Sequence, residues 1–318
     1  MRQMLWGALL LSVLPAMAGA QNAGLFSMES RQDGRAWEAV GRLELAGKAF
    51  CTGSLIEPDL VLTAAHCLYD DTGSLLAPED IQFLAGWRNG RAAAYRRVRR
   101  AVAHPDYDYA AEPSSDRVYN DIALIELQHP VRNTTIIPFV TGQRPPVGES
   151  VGVVSYAHNR SEAPSMQDTC DIMSAQETVL VMSCSVDFGS SGSPVFAFGS
   201  DGPRIVSVVS SKARSGDRPV SLGAPLDSQI ETIQTLMENG AGFPEGSVFR
   251  PLRAEKDVRK DTGAKGREHE HQDFHPVHRH THVKRRLRVA ARCENPVAKA
   301  GARQHHMRQR HQRQRPND

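Results

Sequence analysis

At 318 residues, 40% apolar and 23% charged, the chain is long enough for a large core, and its length sets a prior of about two domains. The formal net charge of +2 hides an asymmetry: from Pro251 onward 18 Lys plus Arg face 8 Asp plus Glu, leaving the tail near +10 and the rest near −8. That excludes a uniformly basic chain. No nucleic acid partner is expected for the core, whereas the tail suits non-specific contact with polyanions.

In chain order, residues 1–20 carry Arg2, an apolar run through Leu14, and the small-x-small patterns Ala16-Met17-Ala18 and Ala18-Gly19-Ala20. This reads as a secretory signal peptide, because the run falls short of the roughly 20 residues a membrane span needs. No later segment is apolar enough to cross a bilayer, so the mature chain is expected to be soluble and periplasmic or secreted. Residues 21–250 are the expected globular unit. Strands are expected at 37–45 and 50–56, with turn signals at Glu57-Pro58-Asp59, Asn89-Gly90, His104-Pro105-Asp106 and His129-Pro130 separating further short runs such as 81–85 and 122–127. The segment 141–148, with Pro145-Pro146, joins two halves, about 25–140 and 148–240. Strands at 150–156, 179–184, 194–198 and 205–210 form the second set. Helical periodicity is nearly absent, which makes the class all-β, a barrel or a sandwich.

One helix is expected late, where Asp227 can cap a run with Ile230, Ile233 and Leu236-Met237 before Asn239-Gly240 stops it. Residues 251–318 form a basic His/Arg-rich tail. Its histidines at 269, 271, 275, 278, 280 and 282 and its arginines offer almost nothing for a core, so it is expected to be disordered. Without cysteine partners or ordered spacing, the histidine tract gives no specific metal site.

Three stretches carry the chemistry: Thr63-Ala64-Ala65-His66-Cys67, Asp121-Ile122-Ala123-Leu124 and Gly189-Ser190-Ser191-Gly192-Ser193-Pro194. A serine hydroxyl attacks an amide only if an imidazole takes its proton and a carboxylate fixes the imidazole's tautomer. His66, Asp121 and Ser191 fit base, orienter and nucleophile. Taken singly, each has another meaning: a buried histidine beside a packed cysteine, a turn cap, one more hydroxyl in a Gly/Ser loop. Their joint occurrence in the order His, Asp, Ser favours the catalytic meaning. Asp106, Asp108 and Asp116 compete for the carboxylate role but lie among Pro, Ser and Tyr in an expected loop.

With these blocks, and with Phe50-Cys51-Thr52-Gly53-Ser54-Leu55-Ile56 leading into Val61-Leu62-Thr63, residues 40–237 resemble a trypsin-like serine peptidase of the chymotrypsin fold. The resemblance implies two six-stranded antiparallel β-barrels with a C-terminal helix. His66 and Asp121 would come from the first barrel and Ser191 from the second. It implies an oxyanion hole from the amides of Gly189 and Ser191, a donor of that sort being worth about 3 kcal/mol. It also implies a Cys51–Cys67 bridge, worth roughly 3 kcal/mol in the chain-entropy model. A Cys170–Cys184 bridge is expected beside it, with reduced core cysteines as the alternative for each pair, and Cys293 is left over. His104 resembles a residue of the family's surface loop and reads as structural.

Two departures matter. Animal trypsins have Asp before the nucleophile, paired with a new N-terminal amine, and this chain has Ser190. Activation through that ion pair is not expected, so other contacts must hold the oxyanion loop. The combination resembles bacterial members. The position six before the nucleophile, Asp in trypsin, is Ser185 here, so a tryptic preference is not expected. Aligning 205–210 with the family's pocket-wall strand puts Ser207 where a serine contacts the catalytic Asp and Val209 where a side chain shortens the pocket, favouring small or medium apolar P1 residues. Protein or peptide substrates, a monomer and no cofactor or metal are expected. The alternative is a catalytically silent homologue acting as a binding protein through its basic tail.

Overall fold

A computed structural model describes residues 24–176 and 179–242. The expected signal segment, the basic tail, its histidine tract and Cys293 lie outside the described residues. After a short strand β1 (Leu25–Ser27), the strands β2 (Val40–Leu45), β3 (Ala49–Glu57), β4 (Leu60–Thr63), β5 (Ile81–Ala85), β6 (Ala94–Ala103) and β7 (Ala123–Leu127) follow. The last six close into an antiparallel barrel in the order β2-β3-β4-β7-β6-β5. Along β6, Ala94, Val98 and Val102 are buried, one residue in four on one face, with arginines between them. Such a strand hides its apolar face behind a polar sequence.

The second half holds β8 (Ser150–Ala157), β9 (Arg160–Gln176), β10 (Val179–Met182), β11 (Pro194–Gly199), β12 (Gly202–Ser215) and β13 (Arg218–Pro225). These run β9-β10-β13-β12-β11-β8, and the further β8–β9 pairing closes a second six-stranded barrel. The all-β, chymotrypsin-like expectation holds. Leu25–Ser27, expected with the first half, instead pairs with β9 of the second barrel, Leu25 opposite Gln167. β1 pairs with Ser165–Gln167 of β9, part of the stretch that β10 does not reach.

The barrels share a core. The first barrel's apolar cluster continues into Tyr156, Phe196, Ile205 and Val208 of the second. Trp37, Phe139 and Phe196 meet at centroid separations of 4.7–5.7 Å at that junction. A separate cluster, including Val151, Leu180, Met182 and Val209, fills the second barrel.

Two helices complete the fold: α1 (Ser115–Tyr119), capped where the Ser114 hydroxyl accepts from the Arg117 amide at 3.1 Å, and α2 (Asp227–Glu238). Asp227 is the first residue of α2 and Leu226 takes the N-cap position; the expected capping rests on the Asp227 side chain, which lies outside what is described. Ile230, Ile233 and Met237 of α2 are buried in the shared core. Arg100 of β6 pairs with Glu126 and donates to the Met237 carbonyl at 2.5 Å, binding the helix end where backbone acceptors are open. Both expected disulfides are present: Cys51–Cys67 across 16 residues and Cys170–Cys184 across 14.

Candidate active site

β4 ends at Thr63, and the chain then turns through a short three-ten segment, Ala65–Leu68, that carries His66. Its backbone is immobilised by burial of Ala64, Ala65 and Cys67 and by the bridge from Cys67 to Cys51. Asp121 stands at the head of β7, after α1, and is 3% exposed. It accepts from the His66 amide at Oδ1, 2.9 Å, and faces His66 Nδ1 at Oδ2, 2.7 Å. Against an ionised carboxylate, which only accepts, Nδ1 carries the proton, and in a neutral ring this leaves Nε2 as the acceptor. Ser210 donates to the same Oδ2 at 2.5 Å. A buried carboxylate is thus compensated by three donors.

Among the described residues no other carboxylate bonds His66; Asp106 instead donates its amide to His104 Nδ1 at 3.3 Å. His104 is only 5% exposed, a buried side chain at the start of the loop that follows β6. Burial holds its imidazolium below the ordinary histidine pKa, outweighing the nearby Asp106 carboxylate. Burial, reinforced by the Asp121 charge, pushes the Tyr107 phenol far above its ordinary pKa.

Of the three serines in the loop from Gly189 to Ser193, Ser190 and Ser193 are fully buried, and Ser191 lines the cleft that His66 also lines. Two glycines permit the loop's path. Gly189 has φ +94° and Gly192 φ +76°, the left-handed region that other residues enter at a cost. A Cβ on Gly189 would lie 2.2 Å from the Phe50 ring, and one on Gly192 2.1 Å from Thr63 Oγ1.

The loop's peptide groups are accounted for one by one. The Phe188 carbonyl accepts from the His158 amide at 2.7 Å, Gly189 from the Thr52 hydroxyl at 2.9 Å, Ser190 from the Ser193 amide at 3.1 Å and Ser191 from the Thr52 amide at 2.8 Å. The amides of Ser190 and Gly192 bond the carbonyls of Asp187 and Val209. Those of Gly189 and Ser191 have no acceptor among the described residues. Each is trans, across a planar peptide, to a tethered carbonyl and so is aimed away from the tether. These are the two amides expected as the oxyanion hole. Ser191 Oγ and His66 make no hydrogen bond among the described residues; such contacts often tighten only when substrate is bound.

A cleft of about 1360 Å³ runs past His66 and Ser191. Ser185 lies in its wall, its amide bonded to Gln167 Oε1 at 2.7 Å. Of the other two expected wall residues, Ser207 stands elsewhere and Val209 lines the cleft. Ser207 is fully buried and donates to the Ala224 carbonyl, so the serine that reaches Asp121 is Ser210 and not Ser207. The two serines are three positions apart and so face opposite sides of a strand, and β12 has a register shift between Val209 and Ser211 beside Ser210. Val209 borders the cleft, but its side chain packs into the second barrel's core and its backbone holds Gly192 and Ser193. Val220, 4% exposed, and Lys212 also line the cleft. Lys212 Nζ is 3.1 Å from Asp187 and 4.2 Å from the Phe188 ring centre. Burial alone would raise the Asp187 carboxyl; the Phe188 amide, Lys212 and Arg160 outweigh it and hold it below the usual carboxylate range. Cys51, His66 and Cys67 lie close enough to suggest a metal cluster, but both sulfurs are in the disulfide and provide no thiolate.

Two closed antiparallel barrels with this cleft define the chymotrypsin-like fold, a class built to bring side chains from both barrels together. The chain belongs to the trypsin family: the model described as Trypsin matches residues 28–225, more than half of its length. It is 31% identical over 157 residues to human (Homo sapiens) mannan-binding lectin serine protease 1, covering 45% of this chain and 22% of that protein. It is 33% identical over 105 residues to human cathepsin G, covering 33% and 37%. The chain spans less than half the length of each. Among solved structures, a Glu endopeptidase in complex with MPD superposes with a TM-score of 0.55 at 16% identity, covering 67% of this chain and 95% of that one. A thermostable serine protease, AL20, from an extremophilic microorganism gives 0.53 at 16% identity, covering 65% and 99%. At that identity the structural likeness speaks for the fold alone.

Proposed function

We propose that the chain is a secreted serine endopeptidase working through His66, Asp121 and Ser191. The observation that carries this is the imidazole whose Nδ1 is fixed by a buried carboxylate at 2.7 Å, in one cleft with Ser191. In the proposed cycle Ser191 Oγ attacks the scissile carbonyl carbon while His66 Nε2 takes its proton. The carbonyl oxygen, now anionic, rests on the amides of Gly189 and Ser191. Collapse expels the amine, which receives the proton from His66 and leaves an acyl-enzyme that water hydrolyses by the same steps.

Export is part of the reading, since two disulfides persist only where thiols are not kept reduced. For specificity, Ser185 gives the pocket no carboxylate to bind Arg or Lys, and the buried Val220 puts an apolar side chain in the cleft lining. The proposed preference is therefore a small or medium apolar P1 side chain. A peptide library tests both points. Turnover favouring Ala or Val at P1, abolished in Ser191→Ala, is expected; turnover that survives Ser191→Ala would remove the proposal, and preference for P1 Arg would remove its specificity clause.

A further inference from the structure

We infer that Thr52 is a positioning residue of the oxyanion hole, an inference that rests on the serine peptidase reading. Thr52 lies in β3 of the first barrel and is fully buried. Its hydroxyl donates to the Gly189 carbonyl at 2.9 Å and accepts from the Tyr156 amide of β8 at 3.1 Å. Its amide donates to the Ser191 carbonyl at 2.8 Å, and its own carbonyl accepts from Thr63 Oγ1 at 2.9 Å. Every polar atom of one residue is therefore committed. The two bonds to the nucleophile loop hold the carbonyls of the very residues whose amides stand open.

This arrangement fixes the hole by a neutral contact. A peptide plane rotates as a unit, so holding the Gly189 carbonyl fixes the plane between Gly189 and Ser190 and limits how the preceding plane, with the Gly189 amide, can turn. The opposite side of the loop is held by a second hydroxyl. Ser190 Oγ donates to the Tyr156 carbonyl and accepts from the Asp187 amide, each at 3.3 Å. Tyr156 thereby receives the loop on its carbonyl and Thr52 on its amide. The loop is clamped between barrels by two hydroxyls meeting at one β8 residue. Cys51, the neighbour of Thr52, is bridged to Cys67 beside His66, so the same short stretch of β3 locates base and oxyanion donors together.

Thr52→Val keeps the shape and the amide but deletes the hydroxyl, leaving the Gly189 carbonyl and the Tyr156 amide buried and unpaired. Thr52→Ser restores the bonds, and Thr52→Ala replaces Val should the latter pack badly. Expected for Thr52→Val is a kcat lower by about tenfold or more with KM nearly unchanged, and an equal loss of affinity for a peptidyl trifluoromethyl ketone, whose hemiketal oxygen uses the hole. Thr52→Ser is expected to recover both. Hydrogen exchange at the amides of 187–192 is expected to speed up in Thr52→Val and not in Thr52→Ser. A lowered melting temperature with unchanged kcat, ketone affinity and loop exchange would make Thr52 a structural residue only and overturn the inference. A wild type that neither cleaves peptides nor binds the ketone would refute the peptidase reading, and the exchange comparison alone would then decide whether Thr52 anchors the loop.

Discussion

Replacing Gly189 by Ala places a methyl group where the loop has least room. Its φ of +94° costs a residue with a Cβ about 1–2 kcal/mol. The new Cβ would stand 2.2 Å from one Phe50 ring carbon and 2.6 Å from the next. The Arg42 guanidinium lies over the ring at 4.2 Å, so moving the ring gives up that contact, and overpacking adds about 1–3 kcal/mol. Together these make a destabilisation of about 2–5 kcal/mol, within the 5–15 kcal/mol typical of a whole fold, and the protein is expected to fold with its nucleophile loop displaced. Because the Gly189 amide is one of the two open donors, kcat/KM should fall by about a hundredfold or more. Urea unfolding and peptide hydrolysis measure the two effects. Adding Phe50→Ala removes the clash but not the φ cost, so the double variant should be more stable than the sum of the singles predicts. Wild-type stability and rate in Gly189→Ala would refute this account of the loop.

Three further outcomes follow from the same contacts. Ser210→Ala removes one of the three donors to the Asp121 carboxylate and should lower kcat/KM by about tenfold while Ser207→Ala does not, as parallel kinetics will show. Replacing Cys51 and Cys67 by Ala opens a loop closed across 16 residues and should cost about 3 kcal/mol in denaturant unfolding; no loss would show that the bridge leaves the unfolded chain unconstrained. His104 is buried with its pKa held down, so below the ordinary histidine value of about 6.5 the unfolded chain binds a proton that the folded one resists. Stability should then decline as pH drops through that range, and the decline should be shallower in His104→Gln; equal slopes would contradict it.

The site was legible where its chemistry sits in local motifs. His66, Asp121 and Ser191 each lie in a short block whose neighbours have one structural purpose, such as the glycines that the loop's left-handed turns demand. What escaped depends on contacts between distant segments. Thr52 reads as one strand residue, and its bond to Gly189 spans 137 positions. Ser207 and Ser210 share a strand and a residue type, and only a contact spanning 89 positions shows which one meets Asp121. The fold class followed from turn spacing, but β6 was hidden by its arginines and β9 by a polar run of 17 residues. In closed barrels a strand needs an apolar residue only at every second position, and bulges disturb even that. β1 shows the same limit, since nothing in three residues tells which barrel they will pair with.

The most direct test of the central claim is labelling by a fluorophosphonate probe followed by mapping of the adduct. A phosphonyl group on Ser191 in wild type, lost in Ser191→Ala and much slower in His66→Ala, is the predicted result. Folded wild-type protein that takes no label, or takes it at another serine with Ser191→Ala unaffected, would contradict it.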